Sequence, residues 1–176
     1  MVDAEDVIRV YRRLLGHGIR VWLVGGWGID ALLGEQTRPH HDLDVIMLLD
    51  DVARTRELLA CDGYTLKQLW EENRWVADSR GIKTPTGFVL HDAEGREFDV
   101  HAMRPDEQGH GIPAWEAEGQ VFRMQDLAGE GVVSGVSVRC MTPEMQMVCH
   151  TGYALPGHQM RDLKLLHERF GVEYPR

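Results

Sequence analysis

The sequence predicts an α/β (α+β) domain: a mixed β-sheet flanked by helices, ending in a C-terminal helical segment. Three observations carry this reading. Over the first sixty residues the apolar spacing alternates between helical and strand periods. The middle of the chain is dense in short β-type runs, and beyond Pro143 the period is helical again. At 176 residues the chain is long enough for one core, so residues 1–140 are expected to form the main body, with 141–176 packed on it.

The elements follow in order. Val7, Ile8, Val10, Tyr11, Leu14 and Leu15 fall on one helical face, stopped by Gly16 and Gly18. "IRVWLV" (19–24) is a buried strand, "WGIDALLG" a short helix ended at Gly34, and "DLDVIML" (42–48) a second strand. "DDVARTRELLACDG" is a helix closed at Gly63. "RWVADS", "TGFVLHD", "REFDVHAM" and "QVFRM" are strands, with a hairpin turn in "HDAEGRE" and another around Ser134-Gly135. "PEMQMVCHTGYAL" and "HQMRDLKLLHERFG" are helices separated by a turn at Pro156-Gly157.

Composition excludes several classes. No apolar run reaches the ~18 residues of a membrane span, and the acidic N-terminus lacks the apolar stretch of a signal peptide. Cys61, Cys140 and Cys149 are odd in number and widely spaced, as expected of reduced, buried thiols in a cytoplasmic protein. With 19 basic and 28 acidic residues the net charge is −9, the wrong sign for a nucleic-acid binder and compatible with a small cationic substrate.

Gly26-x-Gly28-x-x-Ala31 follows a strand and opens a helix, as a dinucleotide fingerprint does, with Asp50 placed where an acid could bind a ribose. The helix is too short for a parallel crossover, however, and the chain does not continue as repeated βαβ units. Asp42-Leu43-Asp44 carries different chemistry. Residues i and i+2 of a strand share a face, so both carboxylates project together, and like charges that close call for a cation. Hard oxygen ligands suit Mg²⁺. "EFDVHAM" places Asp99 and His101 on one face of another strand. Beside the first strand, Asp99 would complete a three-carboxylate site for two Mg²⁺ ions, able to grip a triphosphate. Gly25 and Gly26 would then bring backbone N–H groups and a helix N-terminus to the phosphates of ATP or another NTP.

"VWLVGGWGIDALLGEQTRPHHDLDV", "FDVHAM" and "HTGYALPGHQMRDLKLL", in that order, resemble the small lincosamide nucleotidyltransferases and, more loosely, the aminoglycoside nucleotidyltransferases. Both belong to the polymerase-β-like nucleotidyltransferase superfamily. The resemblance implies a nucleotidyltransferase fold, with residues 1–140 as the catalytic domain. It implies transfer of AMP, or another NMP, to a hydroxyl of an antibiotic, a lincosamide ahead of an aminoglycoside, giving resistance. By it, Gly25 and Gly26 match the phosphate turn, Asp42 and Asp44 the metal pair, and Asp99 the third ligand and general base. Gly26 stands where many members have Ser, and fifteen residues separate it from Asp42, a spacing shared with the antibiotic-modifying subgroup. The stretch from Tyr64 to Phe98 matches poorly. A homodimer is expected by analogy.

Arg38 is a candidate triphosphate ligand. Trp27 either lines the nucleotide site or packs, while Trp22 belongs to the core. Lys164, in a D-x-K with Asp162, could neutralise the triphosphate. His101, Glu71, Glu72 and Asp78 are candidate contacts to the acceptor. Asp30 reads as a surface or capping residue, and His150 and Tyr153 as packing. His40-His41-Asp42 also suggests an HD-type metal hydrolase, but that chemistry sits on helices. Two alternatives keep the fold and change the role: transfer to a protein side chain, as in antitoxin-type enzymes, or a non-catalytic nucleotide sensor.

Overall fold

The structure, a computed structural model, describes residues 1–115, 119–151 and 154–174. Five helices and ten strands occur among them: α1 (Ala4–Leu15), β1 (Val21–Leu23), α2 (Gly25–Leu33), β2 (Asp42–Leu48), α3 (Leu49–Cys61), β3 (Thr65–Leu69), β4 (Trp75–Ala77), β5 (Lys83–Pro85), β6 (Gly87–His91), β7 (Glu97–Pro105), β8 (Gly111–Pro113), β9 (Gly129–Val133), β10 (Val136–Cys140), α4 (Pro143–Cys149) and α5 (Gly157–Phe170).

Local chemistry starts and stops these elements. Asp3 and Asp6 form a reciprocal capping box on α1, with the Asp6 N–H donating to Asp3 Oδ1 at 2.9 Å. Gly34 ends α2 in the left-handed region at φ 79°. Thr142 caps α4, with Pro143 in its first turn. Ser134 and Gly135, at φ 46° and 75°, turn the β9–β10 hairpin as their sequence suggests.

The main sheet runs β3-β6-β7-β2-β1-β10-β9, with β8 on the far end of β7; β4 and β5 form a separate ribbon. β2 and β7 are parallel, as are β1 and β10, while β1 and β2 are antiparallel. That antiparallel pair removes the dinucleotide reading, because a nucleotide-binding βαβ unit needs its two strands parallel.

Strand alternation sorts the side chains into two faces. Val21, Leu23, Val45, Met47, Phe98 and Val100 point into a large core under α1 and α3, together with Leu14 and Leu59. Each such side chain contributes about 1.5–3 kcal/mol of burial. The opposite face carries Trp22, Ile46 and Met103, which pack with Phe122, Met141 and Met145. Asp42, Asp44, Asp99 and His101 lie on this second face by the same period. A third cluster joins Ile29 of α2 to Met147 of α4 and Leu163 and Leu166 of α5, seating the C-terminal helices on the phosphate-turn helix.

Some expectations fail. "QVFRM" is not a strand; Phe122 makes only an isolated bridge to Gly111. β3, β5 and β8 were not anticipated, and β3 shows why: all five of its residues are exposed, so no alternation marks it. α4 stops at Cys149 rather than Leu155, with His150 already out of helical geometry at φ −102°, ψ 35°. Tyr153 lies outside the described residues. Cys61 is exposed, not buried. Asp30 is not at the surface either: it is 2% exposed and bonded to His40 and Thr37.

Candidate active site

A cleft of about 650 Å³ opens over the second face of the sheet, where β2 and β7 meet the start of α2. The register aligns Asp44 with Asp99 and Ile46 with His101 across the parallel pair, with Asp42 two residues before Asp44. All three aspartates line the cleft, as do Gly25, Gly26, Arg38, His101 and Glu72.

Crowding three acids has an electrostatic cost. Burial and then the charges of Asp42 and Asp99 push the Asp44 carboxyl well above the ordinary carboxylate range, opposed by Arg38. Asp99 is raised to about 6, first by burial; His101 and the indole N–H of Trp70 pull it back down, while Asp42 and Glu72 push it up. Trp70 Nε1 donates to Asp99 at 2.9 Å (Oδ1) and 3.1 Å (Oδ2). His101 lies 3.6 Å from Asp99 through Nδ1 and 3.0 Å from Glu72 Oε1 through Nε2. Among the described residues no three acidic, histidine or cysteine groups are already gathered as a chelate. The donor set nonetheless fits a hard cation: three carboxylates share one face, and among the described residues neither the Asp42 nor the Asp44 carboxylate receives a hydrogen bond.

The phosphate turn is shaped by what surrounds it. Gly25 sits at φ 60°, and a Cβ there would stand 2.2 Å from Asp44 Oδ2. A Cβ on Gly26 would meet the His40 ring at 2.3 Å and Arg38 Nη2 at 2.8 Å. Both glycines are the first turn of α2 itself, not a loop before it. The first intrahelical bond runs from the Gly28 N–H to Val24 at 3.1 Å, so the N–H groups of Gly25, Gly26 and Trp27 have no helical partner.

Behind this turn lie two polar contacts, one buried and one partly buried. His40 Nε2 meets Asp30 Oδ2 at 2.5 Å, both side chains 2% exposed, and Thr37 Oγ1 donates to Asp30 Oδ1 at 2.7 Å. Arg38 grips Asp162 of α5 in a fork, Nε at 3.0 Å and Nη2 at 2.7 Å from Oδ2. His150, buried at the end of α4, donates from Nδ1 to the Gln146 carbonyl at 2.7 Å and lines the cleft; burial lowers its pKa.

Other sequence candidates lie elsewhere. Lys164 is 67% exposed on α5 and pairs with Glu168, away from the cleft. Glu71 is exposed and outside the cleft lining, whereas Glu72 is part of it. Trp27 is 2% exposed, packed against His40 at 4.8 Å between ring centres, so it supports the turn from behind. Asp78 anchors its own turn through Arg80 and the Ile82 N–H. Sequence reading missed Trp70, which nothing in the poorly matching stretch marks. It also missed the entry of His150, His158 and Gln159 into the cleft, which only the packing of α4 and α5 decides.

The sequence model of the aminoglycoside-2''-adenylyltransferase family matches residues 6–166. A lincosamide resistance protein from Staphylococcus haemolyticus is 26% identical over 148 residues, covering 84% of each chain. A 2''-aminoglycoside nucleotidyltransferase from Escherichia coli is 27% identical over 149 residues, 79% of this chain and 69% of that one. The crystal structure of a lincosamide antibiotic adenylyltransferase with lincomycin bound superposes with a TM-score of 0.76 at 25% identity, covering 94% of this chain and 96% of that one. The cleft geometry and these likenesses agree: the chain belongs to the aminoglycoside-2''-adenylyltransferase family and is a nucleotidyltransferase.

Proposed function

We propose that this protein transfers AMP from ATP to a hydroxyl of a lincosamide antibiotic, in the presence of Mg²⁺, and so confers resistance. The observation that carries the chemistry is the register of β2 and β7, which sets Asp44 opposite Asp99 beside the glycine turn. The lincosamide assignment is supported by length. This chain spans 84% of the lincosamide resistance protein and 96% of the lincomycin-bound structure, but 69% of the aminoglycoside relative. An aminoglycoside acceptor is the second reading, favoured by the family description itself.

Asp42, Asp44 and Asp99 would hold the divalent cation. Bound there, it would supply charge neutralisation for the triphosphate and for the leaving pyrophosphate. The N–H groups at the start of α2 and the Arg38 guanidinium would orient the phosphates. Asp99 would take the proton of the acceptor hydroxyl as the oxygen bonds to the α-phosphorus and the bond to pyrophosphate breaks. His101 and Glu72, on the same side as Asp99, would contact the acceptor, with Glu72 suited to a cationic amine.

Pyrophosphate release from ATP and Mg²⁺, measured with a panel of lincosamides and aminoglycosides, tests this directly. Release with a lincosamide, abolished in Asp42→Asn, is the expected result. Release only with aminoglycosides would select the second reading, and silence with every drug would remove the antibiotic assignment.

A further inference from the structure

We propose that Asp162 is a positioning residue for nucleotide binding: from α5 it fixes the Arg38 guanidinium against the phosphate turn. The inference rests on the reading of Arg38 as a triphosphate ligand.

The cleft has a shortage of cations. Four carboxylates line it, and Arg38 is the one lysine or arginine among its described lining residues. Lys164, two residues past Asp162, points instead to solvent and Glu168. Beside a divalent cation and the N–H groups of the turn, Arg38 is therefore the permanent positive charge that a polyanion would meet among the described lining residues. Arg38, however, comes from the irregular segment between α2 and β2, and an arginine on a loop samples many rotamers.

Asp162 removes that freedom. Its carboxylate is 2% exposed and takes both Nε and Nη2 of Arg38, while Nη1 donates to the Pro39 carbonyl at 3.2 Å. Of the five N–H groups of a guanidinium, this leaves one on each terminal nitrogen for a ligand. The gripped Nη2 itself lies beside the turn, 2.8 Å from where a Cβ on Gly26 would be. Asp162 is itself fixed by the neighbouring Leu163 and Leu166, which pack on Ile29 of α2. The C-terminal helix thus acts on the nucleotide through a side chain 124 residues earlier in the chain.

The test measures affinity for ATP and for AMP, each with Mg²⁺, by titration calorimetry on the whole protein. Arg38→Ala should cut the ATP affinity while leaving AMP unchanged, since AMP lacks the phosphates concerned. Asp162→Ala should lose 10- to 100-fold in ATP affinity, the scale of a misplaced binding group, again with AMP unchanged. The double variant should be no worse than Arg38→Ala. Asp162→Asn, which keeps an acceptor, should retain most of the ATP affinity. Unchanged AMP affinity reports an intact fold, and if Asp162→Ala fails to fold, Asp162→Glu keeps the charge and displaces the carboxylate, with the same loss expected. Tighter ATP binding in Asp162→Ala or Asp162→Asn would mean that Asp162 merely quenches Arg38, overturning the proposal. Wild-type ATP affinity in Asp162→Ala or Asp162→Glu would overturn it equally. No change in Arg38→Ala would remove the reading of Arg38 itself, and the proposal with it.

Discussion

The carboxylate of Asp44 occupies the space that any side chain on Gly25 would need. The two residues meet because β1 delivers the turn against β2, with the Val24 N–H donating to the Asp44 carbonyl at 3.0 Å. One glycine thus satisfies a left-handed backbone and a close carboxylate at once. Gly25→Ala is expected to lose about 1–2 kcal/mol from the positive φ alone. Displacement of Asp44 should also abolish transfer. Thermal melts and pyrophosphate release check both effects, and an active, fully stable Gly25→Ala would refute the packing argument.

Asp44→Asn should be inactive yet more stable than the wild type in metal-free buffer at pH 7. Burial and its acidic neighbours raise the folded-state pKa of Asp44, and Asp99 is raised to about 6. A carboxyl raised on folding binds its proton better in the folded state. Its ionised form therefore costs stability once the pH has risen through the raised value. The gain of Asp44→Asn over wild type should grow as the pH rises above the ordinary carboxylate range and shrink as the pH falls toward 4. Urea melts at several pH values would show it; a gain that grows on acidification would contradict the assignment.

Among the described residues, Trp70→Phe removes the one hydrogen-bond donor to the Asp99 carboxylate. A hydrogen bond to the charged form lowers a pKa, so its loss should raise the Asp99 midpoint above about 6 in the metal-free protein. Carbon-13 NMR of the carboxyl, followed through a pH titration, gives the value. A midpoint that stays put or falls would show that the indole does not hold this group.

Asp30→Ala leaves His40 buried without its partner, behind Gly26. Leaving a buried hydrogen-bonding group without its partner costs about 1–3 kcal/mol. Asp30→Asn, which can still bond to His40 and Thr37, should cost less. Chemical denaturation of the two variants ranks them, and equal losses would argue against a specific Asp30–His40 interaction.

Lys164→Ala should be nearly silent. The side chain is mostly exposed and Glu168, its partner among the described residues, is also exposed, so stability should change by no more than about 0.5 kcal/mol. ATP affinity in the same calorimetric assay should remain at the wild-type level; a marked loss would place the lysine nearer the phosphates than the structure does.

Much of the fold and half of the site were legible in the chain. Period-2 spacing fixes which face Asp42, Asp44, Asp99 and His101 share, and glycines followed by a helical run mark the turn. Trp70 was not legible. It is a lone aromatic at the end of an exposed strand with no alternation, and it reaches Asp99 only because β3 pairs with β6, which pairs with β7. Asp30 was misread because a short helix with an acid in its middle looks amphipathic, whereas here that side is covered by His40 and Thr37.

The sequence by itself determined most of the elements, the acidic face and the glycine turn, because these depend on backbone periods and on local steric rules. Only the tertiary structure decided that β1 and β2 run antiparallel, that Asp44 stands opposite Asp99, and that Asp162 rather than Lys164 meets Arg38. Those are contacts between residues 22 to 124 positions apart. They are selected by burying apolar faces against one another, and no local preference encodes them.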